Sequence, residues 1–177
     1  ILSLSGWTDS DPAFSTFIKS RFAIESLRAS VEPHENYTAE GAATLKDLKK
    51  GGSSFGDGRW LGYLGDDLNL TADVGQVEEI SVVTVGTLAD YNAYIHLPRS
   101  IVVSVSKDGR RYVPFQNKQV PVADGPTDVM VHNHLLRSEP TSARYSRIKI
   151  KSQGVNPAWH PAPGEPCWLF VDEVLVE

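Results

Sequence analysis

Residues 55–75 constrain the fold more than any other stretch: Phe-Gly-Asp-Gly-Arg-Trp-Leu-Gly-Tyr-Leu-Gly-Asp-Asp-Leu-Asn-Leu-Thr-Ala-Asp-Val-Gly. In the second half, apolar Leu68, Leu70, Ala72 and Val74 alternate with polar Asn69, Thr71 and Asp73. Period two sends the apolar set to one face of a sheet. The first half spaces Gly58, Gly62 and Gly65 around Trp60 and Tyr63. Backbone without Cβ atoms can bend sharply there around large rings. An aromatic loop feeding a half-buried strand calls for antiparallel neighbours and a second layer of sheet. Nothing in the stretch carries catalytic chemistry.

The rest of the chain repeats the theme. Partial alternation predicts a strand over 22–31, and β-branched residues predict one over 80–88, with Gly75 separating it from the strand before. A further strand is expected over 101–106, returning through the Asp108-Gly109 hairpin signal as 111–115. Weaker patterning marks 119–122; stronger patterning marks 129–136, 145–150 and 168–176. Loops rich in glycine or proline fill 32–58 and 154–166. At the N-terminus, Asp9-Ser10-Asp11-Pro12 reads as a helix cap, predicting either a short helix over 13–21 or a linker remnant. Eight or nine strands with almost no helix point to an all-β fold, an antiparallel β-sandwich of jelly-roll type. The predicted division is an N-terminal extension over 1–21 and one β-sandwich domain over 22–177.

Composition narrows the functional classes. A chain of 177 residues with 41% apolar content can bury one sizeable core. Its net charge of −5 argues against non-specific nucleic-acid binding, which needs basic surface. No apolar run approaches the roughly 20 residues of a membrane-spanning helix. No secretory leader is visible, so the expectation is a mature product or an excised domain. The single cysteine, Cys167, excludes an internal disulfide and reads as a small buried apolar residue.

Several phrases then line up in order: Tyr37-Thr-Ala-Glu-Gly41, Leu45-Lys-Asp47, Asp57-Gly-Arg-Trp60-Leu-Gly-Tyr63, Asp73-Val-Gly75 and Ile95-His-Leu-Pro98. Val103-Ser-Val-Ser-Lys-Asp-Gly109, Ala143-Arg-Tyr-Ser-Arg147, Pro157-Ala-Trp-His160 and Trp168-Leu-Phe-Val-Asp-Glu-Val174 complete the series. Together they make residues 22–177 resemble the discoidin-like domain (coagulation-factor C-type, F5/8 type C), a galactose-binding-like jelly roll. The version appended to family 20 glycoside hydrolases, the β-N-acetylhexosaminidases, is the nearest in pattern. Carbohydrate-binding module family 32 is related to it.

The resemblance implies sites. A calcium ion near the barrel mouth would be held by Asp47 and Glu173, with backbone carbonyls from 45–54; Ca²⁺ suits hard oxygen ligands on loops. Leu48 departs from the glycine usual after that aspartate, and Gly51-Gly52 offers an alternative turn. Against the ion stands a reading in which Asp47 caps a turn and Glu173 pairs with a lysine. Sugar contacts would come from His34 and Glu35, from Tyr91, Asn92 and Tyr94, and from Trp159 and His160. The arginine often found in the middle of these loops is missing, since Arg99 lies beyond Pro98. The alternative is that Trp159 and His160 simply plug the barrel mouth. Trp60 and Trp168 read as core aromatics. His132 and His134 share a strand face, but no acidic or cysteine neighbour in that strand completes a metal site.

Two functional expectations follow. The first is a non-catalytic carbohydrate-binding module, accessory to a β-N-acetylhexosaminidase-type glycoside hydrolase, acting secreted, periplasmic or at the cell surface. It would bind a hexosamine- or galactose-containing glycan. The second is a structural or protein-interaction domain packed on a neighbouring catalytic glycosidase domain. Burial of Trp159, Tyr91 and Tyr94 would favour the second.

Overall fold

A computed structural model describes residues 16–177. The cap signal at Asp9–Pro12 and the start of the expected helix lie outside the described residues. In the remainder of that expectation, Thr16–Phe17 form a short strand, β1, and residues 18–21 are irregular. The other strands are β2 (Ser26–Ala29), β3 (Lys49–Lys50), β4 (Leu61–Leu64), β5 (Leu68–Ala89), β6 (Ser100–Ser106), β7 (Val113–Gln119), β8 (Met130–Lys151) and β9 (Trp168–Val176). Short 3₁₀ segments at Glu35–Tyr37, Gly41–Lys46 and Tyr91–Ala93 are the helical elements among the described residues.

Every strand pairing is antiparallel. β1 pairs with β3, while the remaining strands run β4-β9-β5-β8-β6-β7, with β2 added to β5. Two long strands carry the architecture. The first half of β5 pairs with β2 and the second half of β8; its second half pairs with the first half of β8 and with β9. Register breaks between Asp73 and Glu78, and between Ile80 and Val82, bend the β5–β8 ribbon. Extra residues of this kind sharpen strand twist and let one ribbon serve both layers of a sandwich.

Gly75 therefore bends β5 rather than ending it. Its φ of +86° is open to glycine at little cost, and a Cβ there would overlap the Glu25 carboxylate. The expected strands over 129–136 and 145–150 likewise join as β8. The organising alternation survives: Leu68, Leu70, Ala72 and Val74 are all buried. They meet Ile101, Val103 and Val105 of β6, Ile148 and Ile150 of β8, and Leu169, Val171 and Val174 of β9 in the main core. Trp60, Leu88, Ile95 and Phe170 form a second, aromatic cluster, with Trp168 packed against it.

A buried ion pair ties the Lys50 region to the last strand. Lys50 Nζ lies 2.7 Å from Asp172 Oδ2, and the Gly51 N–H donates to the same carboxylate at 2.9 Å. Both charges rest on the Cα of Gly86, where any side chain would overlap them. Cys167 is fully buried and burial pushes its thiol up to about 11, in keeping with an unreactive core residue.

Candidate functional site

The loop after β5 is built tightly. Asp90 caps the 3₁₀ turn Tyr91–Ala93 by accepting from the Ala93 N–H at 3.3 Å. Tyr94 ends it in the left-handed region (φ 64°), with its N–H on the Tyr91 carbonyl and its own carbonyl accepting from the Trp168 N–H. A non-glycine residue in that region is strained, and such strain concentrates at binding sites. The reversal leaves Tyr94 exposed while Tyr91 points inward, 5% exposed.

Across from it, the 154–166 loop brings up Trp159 and His160. The Trp159 indole N–H donates to the Ala123 carbonyl, and the ring meets Tyr91 edge-on at 5.4 Å. His160 Nδ1 accepts from the Ala162 N–H at 3.1 Å, which leaves Nε2 to carry the proton and donate to the Tyr91 carbonyl at 2.8 Å. Both ring nitrogens are thus spent on backbone, and Tyr94 packs edge-on against the ring at 4.8 Å. Tyr91, Asn92, Tyr94, Pro126, Trp159, His160 and Pro161 enclose a cleft of about 320 Å³.

Beneath the cleft lies His96, which sequence reasoning did not single out. It is 4% exposed, tilted against Tyr91, Trp159 and His160, with Nε2 3.0 Å from Asn156 Oδ1. Asn156 Nδ2 donates onward to the Ala162 carbonyl, closing the loop on itself. Burial brings the His96 imidazole down to about 4, the Asn156 hydrogen bond opposes this, and the proximity of His160 adds to it. The only sequence signal was its place in the Ile95-His-Leu-Pro98 phrase.

Five of the seven expected sugar-contact residues line this cleft: Tyr91, Asn92, Tyr94, Trp159 and His160. His34 and Glu35 do not line it. The His34 ring packs edge-on to Trp168 at 5.0 Å, its Nδ1 facing the Asn36 N–H, and Glu35 is exposed. Trp60 is a buried core residue, whereas Trp168 is half-buried between that cluster and His34. Arg99 binds Gln153 and borders a separate depression with Asp66 and Asp67.

Asp47 and Glu173 sit at the base of the 41–50 loop. Leu48, standing where glycine is usual, takes the left-handed φ of 63° that a glycine would take. Asp47 Oδ1 accepts from the Lys49 N–H at 2.9 Å and Oδ2 lies 3.6 Å from Lys49 Nζ. Glu173 is 1% exposed, and neither carboxylate oxygen has a hydrogen-bond partner. Burial pushes its carboxyl up to about 8, with the charges of Asp47 and Asp172 acting in the same direction and the Leu48 N–H and Lys50 opposing them. An orphaned buried carboxylate beside a second carboxylate fits a hard cation. Among the described residues no three His, Cys, Asp or Glu side chains converge, so backbone carbonyls would have to complete the ligand set.

His132 and His134 stack at 6.0 Å, and His134 Nε2 is 2.8 Å from Thr87 Oγ1. They join no cluster of three metal-ligating side chains among the described residues. No helix among the described residues is long and apolar enough to cross a membrane.

No protein-family model and no curated protein matches the chain. Solved structures do. The lectin-binding domain of lectinolysin, a histidine mutant complexed with Lewis b, superposes with a TM-score of 0.57 at 16% identity, covering 91% of this chain and 97% of that one. CBM32-3 from a family 31 glycoside hydrolase of Clostridium perfringens gives 0.55 at 10% identity, covering 87% and 90%. CpGH89CBM32-5 from Clostridium perfringens, in complex with GalNAc-β-1,3-galactose, gives 0.53 at 16% identity, covering 85% and 93%. At these identities the likeness establishes the fold: the galactose-binding-like β-sandwich of the discoidin and family 32 modules.

Proposed function

We propose that this chain is a non-catalytic carbohydrate-binding module that holds a glycan in the cleft between the Tyr91–Tyr94 turn and the Trp159 loop. The observation that carries the reading is the pairing of an exposed Tyr94 with a half-buried Trp159 across one cleft. Aromatic faces suit the apolar face of a pyranose, and the exposed Asn92 amide supplies both donor and acceptor for hydroxyls. Tyr91, His96 and His160 position those rings from below, His160 through both ring nitrogens and His96 through Asn156. The glycans named for solved neighbours, GalNAc-β-1,3-galactose and Lewis b, support a hexosamine- or galactose-containing ligand. Attachment to a parent enzyme of β-N-acetylhexosaminidase type, secreted or at the surface, belongs to the same reading; a tethered module raises local substrate concentration. We further propose that Asp47 and Glu173 hold a structural Ca²⁺.

The competing reading, a domain that only packs against a catalytic neighbour, draws on the burial of Tyr91 and His160. Calorimetric titration with hexosamine- and galactose-containing oligosaccharides separates the two. A saturable signal abolished by Tyr94→Ala supports the module. Silence across the panel, with the fold intact, removes it.

A further inference from the structure

The outer face of the sheet formed by β2, β5, β8 and β6 carries an unassigned pattern of charge. The register aligns Arg28, Thr71, Arg147 and Ser104 in one row across the four strands. Directly paired residues share a face, and their chain neighbours Leu27, Ala72, Ser146 and Val105 are buried on the other. Arg28 and Arg147 therefore flank Thr71, two strand spacings or roughly 10 Å apart. The adjacent rows add Ser26, Asp73 and Tyr145 on one side and Ser30, Asn69 and Lys149 on the other. The hairpin at Asp108–Arg110 stands over the face as a wall, leaving a groove of about 390 Å³ that includes Ser26, Arg28, Thr71, Arg110, Tyr112 and Tyr145.

The guanidinium of Arg147, half-buried at the edge of this groove, is stacked on the Tyr112 ring, 3.8 Å from its centroid, which holds its fork in place. Among the described residues no carboxylate pairs with Arg28 or Arg147. Two carboxylates do border the groove, and both are engaged. Asp73 is gripped by Arg144 Nε and Nη2 at 2.7 and 2.9 Å. Asp108 folds the hairpin by accepting from the Arg110 and Arg111 N–H groups and from Ser106 Oγ. On a chain of net charge −5, this leaves a local cationic face with hydroxyls and tyrosine rings beside the cations.

We propose that this face is a second binding surface, distinct from the loop cleft, for an acidic polysaccharide whose carboxylates pair with Arg28 and Arg147. A flat sheet face with spaced guanidinium groups matches an extended chain of regularly spaced anions. Thr71 lies between the cations, and Ser26 and Tyr145 border them in the next row, where sugar hydroxyls would fall. Forked guanidinium–carboxylate contacts are directional as well as charged, so a sugar acid gains more than a diffuse polyanion.

The test is calorimetric titration of the intact chain with an oligogalacturonate and with its carboxyl-reduced, neutral counterpart. Binding of the acidic form alone, weakening as salt rises, is the expected result. Arg28→Gln should weaken it about tenfold, one charge-assisted contact at 1.4 kcal/mol per decade. Arg28→Glu should abolish it, and Trp159→Ala should leave it intact. Arg147→Gln is read only beside its melting curve, since the Tyr112 stack is lost with it; Arg28 is exposed and keeps the test valid if that variant unfolds. Equal affinity for the neutral oligosaccharide, indifference to Arg28→Glu, or equal affinity for a DNA duplex would each overturn the assignment. Failure of Tyr94→Ala to affect neutral-glycan binding would bear on the loop cleft alone.

Discussion

Glu173→Gln is a substitution whose stabilising effect calcium should cancel. In the metal-free protein, Glu173 is a fully buried carboxyl without partners, held up to about 8 against 4.5 in a solvated glutamate. For an acid raised on folding, the associated stability is complete below pH 4.5 and is lost as pH rises through 8. The ionised form at high pH is therefore disfavoured by roughly 5 kcal/mol, at 1.36 kcal/mol per pH unit. A buried glutamine removes the charge but leaves an unsatisfied amide that costs about 2 kcal/mol. The net expectation is stabilisation by about 3 kcal/mol in chelator at pH 8.5, which for a chain of this size is roughly 6–12 °C in melting temperature. With Ca²⁺ at about 100 times its Kd the wild type should gain about 2.7 kcal/mol, and the variant should lose most of that gain. Differential scanning calorimetry of both proteins, with and without calcium, at pH 5 and 8.5 reads all of this. A variant less stable than wild type in chelator at pH 8.5 would refute the desolvation argument. A wild-type melting curve that calcium leaves unmoved would remove the ion.

Gly86→Ala should cost about 3–5 kcal/mol in urea unfolding, because its methyl group displaces the Lys50–Asp172 pair and leaves buried charges uncompensated; a loss below about 1 kcal/mol would show that the pair has room to move. His96, brought down to about 4 by burial, is a base depressed on folding. Stability should therefore fall as pH drops from 6.5 towards 4, by up to about 3 kcal/mol. His96→Gln should flatten that part of the melting-temperature profile, and an unchanged slope would place the acid sensitivity elsewhere, His134 being next in line.

Most of the all-β architecture was legible because it is written locally. Alternation over residues 68–74 depends only on neighbouring side chains, and the same four residues fill the core. The Asp108-Gly109 hairpin was equally plain, since its turn needs a residue at positive φ (Gly109, 71°) and a carboxylate to hold the reversal. The aromatic and polar residues of the 90–94 and 159–160 loops were visible as types, and they do share one cleft.

The rest required the third dimension. Whether β5 stops at Gly75 or bends there depends on β8 bending with it, a pairing of residues about 70 positions apart. Tyr91 and Tyr94 look alike in sequence, yet one is buried and the other exposed, because the 3₁₀ turn and left-handed Tyr94 rotate them to opposite sides. His160 read as a sugar ligand until the backbone partners of both its nitrogens were placed, and His96 gave almost no signal because its role is its position beneath other rings. The cationic row of Arg28 and Arg147 is likewise invisible along the chain, since register alone brings them to either side of Thr71. Sequence by itself determined which residues seek the core and where the chain can turn, because both are properties of side chains and their near neighbours. Tertiary structure decided which polar atoms remain free, because a hydrogen bond or an ion pair is consumed by whatever distant residue the sheet register brings within reach.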